Sequence, residues 1–122
     1  MNHIFKKLFL FSFLLYFNVV VVQADQKTEI AHLLEYVKTT PCKYIRNGTF
    51  HSGLEAANHI KEKYDYYKND IASAEDFIRL SATQSTMFGN KYYIKCSGSP
   101  KMESSIWLLQ ELKKYRKKTI IK

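Results

Sequence analysis

Two cysteines, Cys42 and Cys96, constrain this chain more than anything else in it: they are its only cysteines, and each belongs to one of its two strand-like runs, Cys42-Lys-Tyr-Ile45 and Lys91-Tyr-Tyr-Ile-Lys-Cys96. In an exported chain, two such cysteines pair as one disulfide. Their spacing is far from the Cys-x-x-Cys of redox proteins. Closing a loop of about 55 residues contributes roughly 4 kcal/mol in the chain-entropy description, a large share of the ~5–15 kcal/mol that holds a typical domain together. The expected architecture is therefore mainly α within an α+β class, with about four helices around a short two-stranded antiparallel ribbon stapled by Cys42–Cys96.

The N-terminus supplies the expected address. Lys6 and Lys7 precede an apolar run over residues 8–22, interrupted only by Ser12 and Asn18, and Val22-Gln23-Ala24 follows. A basic start, an apolar middle and a small residue before the cut make a secretory signal peptide. The run is shorter than the ~20 apolar residues that span a bilayer. Residues 1–24 are thus expected to be removed, leaving residues 25–122 as one small exported domain, periplasmic or secreted, with no transmembrane span.

Helix signals divide that domain. Ile30, Leu33, Leu34 and Val37 make a narrow apolar stripe over residues 27–39, ended by Thr40-Pro41. Asn47-Gly48 is a turn signal. Ser52-Gly-Leu-Glu55 is a capping box that opens a second helix to about Tyr67, with Leu54, Ala56, Ala57, Ile60, Tyr64 and Tyr67 on one face and Glu55, His59 and Glu62 opposite. Ser73 followed by Glu75 and Asp76 starts a third. A last helix, from Pro100 or Glu103 to Lys118, is expected to bury Met102, Ile106, Leu108, Leu109, Leu112 and Tyr115. Trp107 falls outside that arc, and is expected to be partly exposed as an interaction anchor.

Arg46, Asn47, His51 and Glu55 are the densest polar group. Arginine grips planar anions with two parallel hydrogen bonds, so the group is a candidate ligand or interaction site, joined by His59 one turn after Glu55. The local alternative has Arg46 paired with Glu55, Asn47 in the turn and His51 bonded to a backbone carbonyl. No catalytic residue and no metal set is assigned, because His51 precedes the cap and a third ligand is missing. No cofactor is expected, since phosphate-binding loops and dinucleotide glycines do not occur.

Charge is concentrated at the end. The chain has 19 Lys+Arg against 11 Asp+Glu, but cations at 113, 114, 116, 117, 118 and 122 follow the last acid, Glu111. Lys113, Lys114, Arg116, Lys117 and Lys118 form either a solvated helix end, favoured by the helix dipole, or a weak, salt-sensitive contact with an anionic surface.

The order of these pieces is Leu33-Leu34, Cys42-Lys-Tyr-Ile-Arg-Asn-Gly48, His51, Glu55-Ala56, His59-Ile-Lys-Glu-Lys-Tyr64, Ser73-Ala-Glu-Asp-Phe-Ile78, Tyr92, Ile94-Lys-Cys96, Trp107-Leu108 and Tyr115-Arg116. It resembles the YfeK-like family of small exported bacterial proteins of unknown function. Phe88-Gly89-Asn90 departs from that family's pattern. The resemblance implies an exported single domain with one disulfide, and no activity. The expected role is a non-enzymatic interaction or envelope-associated domain, its partner an envelope protein, the cell wall or anionic lipid. A small hydrolase or ligand-binding protein using Arg46, His51 and Glu55 is the alternative. A nucleic-acid role is disfavoured by the export signal.

Overall fold

Asp25 opens the described chain by accepting a hydrogen bond from the Lys27 amide at 3.2 Å, which caps helix α1 (Gln26–Thr39). The computed structural model describes residues 25–121, so the expected signal peptide lies outside the described residues. Strand β1 (Lys43–Arg46) follows, and turns back into β2 (Thr49–His51). Asn47 and Gly48 sit at φ 51° and 77°, the left-handed pair required by a two-residue hairpin whose twist matches its strands. Ser52 then caps α2 (Gly53–Tyr67) by accepting from the Glu55 amide at 3.1 Å. A short 3-10 turn (Lys68–Asp70) leads to α3 (Ala74–Ser81), capped by Ser73. A loop with one bridge, Gln84 to Lys91, precedes β3 (Tyr93–Lys95). Two-residue β4 (Met102–Glu103) runs directly into α4 (Ser104–Ile121).

The strands form one antiparallel sheet in the order β2-β1-β3-β4. Its central pair, β1–β3, is the expected ribbon, and Cys42 and Cys96 are joined across it with their Cα atoms 4.4 Å apart. The sheet is twice as wide as the expected ribbon for local reasons. The Asn-Gly turn adds β2. Gly98, at φ 76°, reverses the chain so that residues 102–103 pair with β3 before α4 begins.

One face of the sheet and the helices enclose the core, with Leu33, Phe77, Ile94 and Leu108 among the fully buried side chains. On α4 the buried arc is Ser104, Trp107, Leu108 and Leu112, rotated from the expected one. Trp107 is buried at 9 % exposure, its ring 4.4 Å from that of Tyr36 and edge-on to Tyr44; the expected exposed anchor is corrected to a core residue. Ile106 and Leu109 are instead 46 % and 44 % exposed, and Leu54 on α2 is 51 % exposed. Polar residues hid the true arc. Ser104 is buried because its hydroxyl pairs with that of Tyr44, and Glu111 is sheltered beside His32 at 2.8 Å.

The basic end needs a second correction. Arg116 is no free cation: its guanidinium donates to both carboxylate oxygens of Glu29, at 2.8 and 3.0 Å, and to both of Glu75, at 2.8 and 2.9 Å. It clamps α1 and α3 to α4. Lys113, Lys114, Lys117 and Lys118 remain exposed.

Helices α1 and α2 cross tightly at Gly53. A Cβ there would stand 2.3 Å from the Val37 carbonyl oxygen and 3.1 Å from that of Lys38. Alanine is the better helix former by up to ~1 kcal/mol, but a backbone carbonyl cannot swing aside as a flexible side chain would. Gly53→Ala is therefore expected to destabilise by about 1–3 kcal/mol, the usual range for overpacking. An unchanged urea midpoint would refute this close approach.

Candidate functional site

The inner face of the β1–β2 hairpin and one flank of α2 diverge, and a cleft of about 320 Å³ opens between them. Strand alternation puts Tyr44 and Arg46 on the inward side of β1, and the register Tyr44–His51 puts His51 on the same side of β2. Helical spacing brings Glu55, His59 and Glu62 to the facing flank of α2. Ala56, Ile60 and Tyr92 complete the apolar part of the lining. Three of the sequence candidates, Arg46, His51 and Glu55, thus line one concave surface, and His59 joins them. Asn47 does not: it forms the hairpin turn, and its Oδ1 accepts from the Asn90 side chain at 3.3 Å.

Two histidines here have distinct settings. His51 Nδ1 lies 3.2 Å from Glu55 Oε2. A carboxylate only accepts, so Nδ1 carries the proton and Nε2 of the neutral ring is left as an acceptor. Glu55 also takes a hydrogen bond from the Ser52 hydroxyl at 3.1 Å. The bond from His51, then those from Ser52, hold its carboxyl below the usual glutamate range.

His59 Nε2 lies 3.2 Å from the Tyr92 hydroxyl. The same hydroxyl is approached by Lys63 Nζ at 3.4 Å, while that ammonium also donates to the Gln84 carbonyl at 2.7 Å. Tyr92 accepts from Lys63, and its own proton is free to go to His59 Nε2 when the imidazole is neutral. The electrostatics agree. Partial burial, then the charges of Arg46 and Lys63, push the His59 pKa down, with Glu62 acting in the opposite direction. Burial, then Arg46, lowers the Lys63 pKa as well. Burial is also the main reason that the Tyr92 pKa is raised.

Arg46 is the source of much of this positive field, yet among the described residues its side chain makes no hydrogen bond and no ion pair. The Arg46–Glu55 pair of the local alternative does not form; the Glu55 carboxylate accepts from His51 and Ser52 instead. Nor do His51, Glu55 and His59 gather as a ligand set, and among the described residues no group of three or more His, Cys, Asp or Glu is placed to hold a metal ion. Neither Tyr92 nor Lys63 is among the site residues that the sequence points to. Tyr92 reads as the start of a core strand, and Lys63 is brought to the cleft edge by its contacts with the 83–92 segment.

A model described as "Family of unknown function (DUF5329)" matches residues 24–116, a span that includes the whole cleft, the disulfide and the Arg116 clamp. No curated protein and no solved structure matches the chain significantly. Among the described residues no helix is long and apolar enough to cross a membrane.

Proposed function

Because the chain belongs to DUF5329, a family of unknown function, its chemistry has to be read from its own cleft, and we propose that it is a small exported binding domain that captures a singly charged carboxylate ligand on Arg46. Export is supported by the Cys42–Cys96 disulfide, since such bonds persist in oxidising compartments, and by the character of residues 1–24. The narrower likeness to YfeK-like bacterial proteins belongs to this same proposal.

One observation carries the reading: an arginine without a partner among the described residues lines a cleft in which His51, Glu55, His59 and the Tyr44 and Tyr92 hydroxyls are already engaged, leaving Asn58 and Glu62 as its other unbonded polar side chains. Its guanidinium is planar and keeps its charge, a shape that suits a carboxylate. His59, drawn toward neutrality by partial burial and then by Arg46 and Lys63, is a cation in waiting. The carboxylates of Glu55 and Glu62 line the same space. They repel a dianionic phosphate more than a monoanion, which selects the carboxylate. A non-enzymatic role is the simpler one, since the lining holds no serine, threonine or cysteine nucleophile.

Calorimetric titration of residues 25–122 with N-acetylglycine and with inorganic phosphate tests the reading. N-acetylglycine is expected to bind the more tightly, and Arg46→Leu to weaken it at least tenfold without changing the thermal midpoint. A bound carboxylate favours protonated His59, so affinity is expected to rise as pH falls from 7.5 through the ordinary histidine range near ~6.5 and below. Binding indifferent to Arg46, or tighter phosphate binding, would overturn the carboxylate site.

A further inference from the structure

Charges of both signs line this cleft without closing on each other. Arg46 approaches from β1. Glu62 approaches from the third turn of α2, exposed, and among the described residues its side chain makes no hydrogen bond and no ion pair. The two are not within ion-pair distance, although both border the same space of about 320 Å³. His59 lies close enough to both to feel them with opposite sign, Arg46 disfavouring its proton and Glu62 favouring it. The guanidinium, the carboxylate and the imidazole thus border one cleft. Ala56, Ile60, Tyr44 and Tyr92 form the buried floor of the same lining and leave little apolar surface open to it.

We propose that the ligand is zwitterionic, an α-amino acid or short peptide whose carboxylate meets Arg46 and whose ammonium meets Glu62. The inference rests on the carboxylate-binding reading above, and narrows it. An ammonium has three donors and no acceptor, and Glu62 is the lining carboxylate still free to accept, since Glu55 is held by His51 and Ser52. The volume is at the small end of the ~300–1,000 Å³ range of ligand pockets, which suits one or two residues and excludes a long peptide. A ligand with both charges also cancels the mixed field of the cleft, which an anion alone leaves half unmatched.

The test compares leucine with N-acetylleucine, which keeps the carboxylate and side chain but loses the ammonium. Residues 25–122 are titrated with each by calorimetry, as wild type, Glu62→Gln, Glu62→Lys and Arg46→Leu. Leucine is expected to bind at least fivefold more tightly than N-acetylleucine. Glu62→Gln is expected to erase that preference while leaving N-acetylleucine affinity equal or higher, and Glu62→Lys to invert it. Arg46→Leu is expected to weaken both ligands. Equal binding of the two by wild type, or a leucine preference that survives Glu62→Gln, overturns the zwitterion and leaves the carboxylate site standing if N-acetylleucine still depends on Arg46. Loss of that dependence overturns both readings. Glu62 is exposed and makes no structural bond, so circular dichroism of the Glu62 variants should match wild type.

Discussion

Arg116→Met is expected to lower stability by roughly 3 kcal/mol, measured as a fall in the urea midpoint. The substitution removes four charge-assisted hydrogen bonds, but the larger effect comes from what remains. Glu29 is only 3 % exposed, and without Arg116 its carboxylate stands in the interior with no counter-charge. Breaking a buried pair from one side costs ~3–5 kcal/mol. The lower end applies because the Arg116 side chain is itself 38 % exposed and that of Glu75 is 50 % exposed, so water reaches the gap. The double variant Glu29→Met/Arg116→Met removes both charges, and is expected to recover much of the loss. If the double variant is no more stable than Arg116→Met, the unpaired carboxylate is not the cause.

The same clamp gives the fold an acid limit. The hydrogen bonds from Arg116 are the main reason that the Glu75 pKa is lowered, and the guanidinium pKa moves up in return. A carboxyl whose folded pKa is depressed adds stability above its unfolded pKa and loses it as pH falls through the folded value. The contribution from Glu75 should therefore be complete at neutral pH, and fade below the ordinary glutamate range of ~4.3. Arg116→Met should show a shallower loss over that acid window than wild type.

Opening the Cys42–Cys96 bond is expected to have the largest effect on the fold. With the cysteines 54 positions apart, the chain-entropy relation gives roughly 4 kcal/mol, within the ~2–5 kcal/mol seen when small secreted domains lose a native bridge. The bond also joins β1 to β3, the central pair of a sheet whose outer strands have only three and two residues. Such short strands add little by themselves, so the central pair has to be held for the cleft hairpin to keep its place. Cys42→Ser/Cys96→Ser should lower the urea midpoint accordingly and weaken N-acetylglycine binding in parallel. A loss below ~1 kcal/mol would mean that the helical layer holds the sheet without the bridge.

Local chemistry made much of the fold legible from the chain. Ser52 and Ser73 accept from the amides three residues on because a short side-chain oxygen before a helix satisfies donors that have no other partner. Thr40-Pro41 ends α1 and Asn47-Gly48 makes the turn for equally local reasons. The partner of Cys42 could only be Cys96. Each of these depends on a few neighbouring residues, and reads the same in any context.

What the tertiary structure alone decided is which polar residues lie inside. Glu29, Ser104 and Glu111 look like solvent positions on a helical wheel, and Trp107 looks like an outlier among them. Glu29 and Ser104 are buried and Glu111 is half-buried against partners 60 to 87 residues away, Arg116 for Glu29, Tyr44 for Ser104 and His32 for Glu111. A hydrophobic count assigns those positions to water, and so turns α4 the wrong way. The cleft has the same origin. Arg46, His51 and Glu55 are near in sequence, but Tyr92 and Lys63 reach the site through the 83–92 segment. Helix caps and turns follow from short-range bonding, whereas a buried charge or a cleft lining is the outcome of packing among distant groups, which only the folded chain resolves.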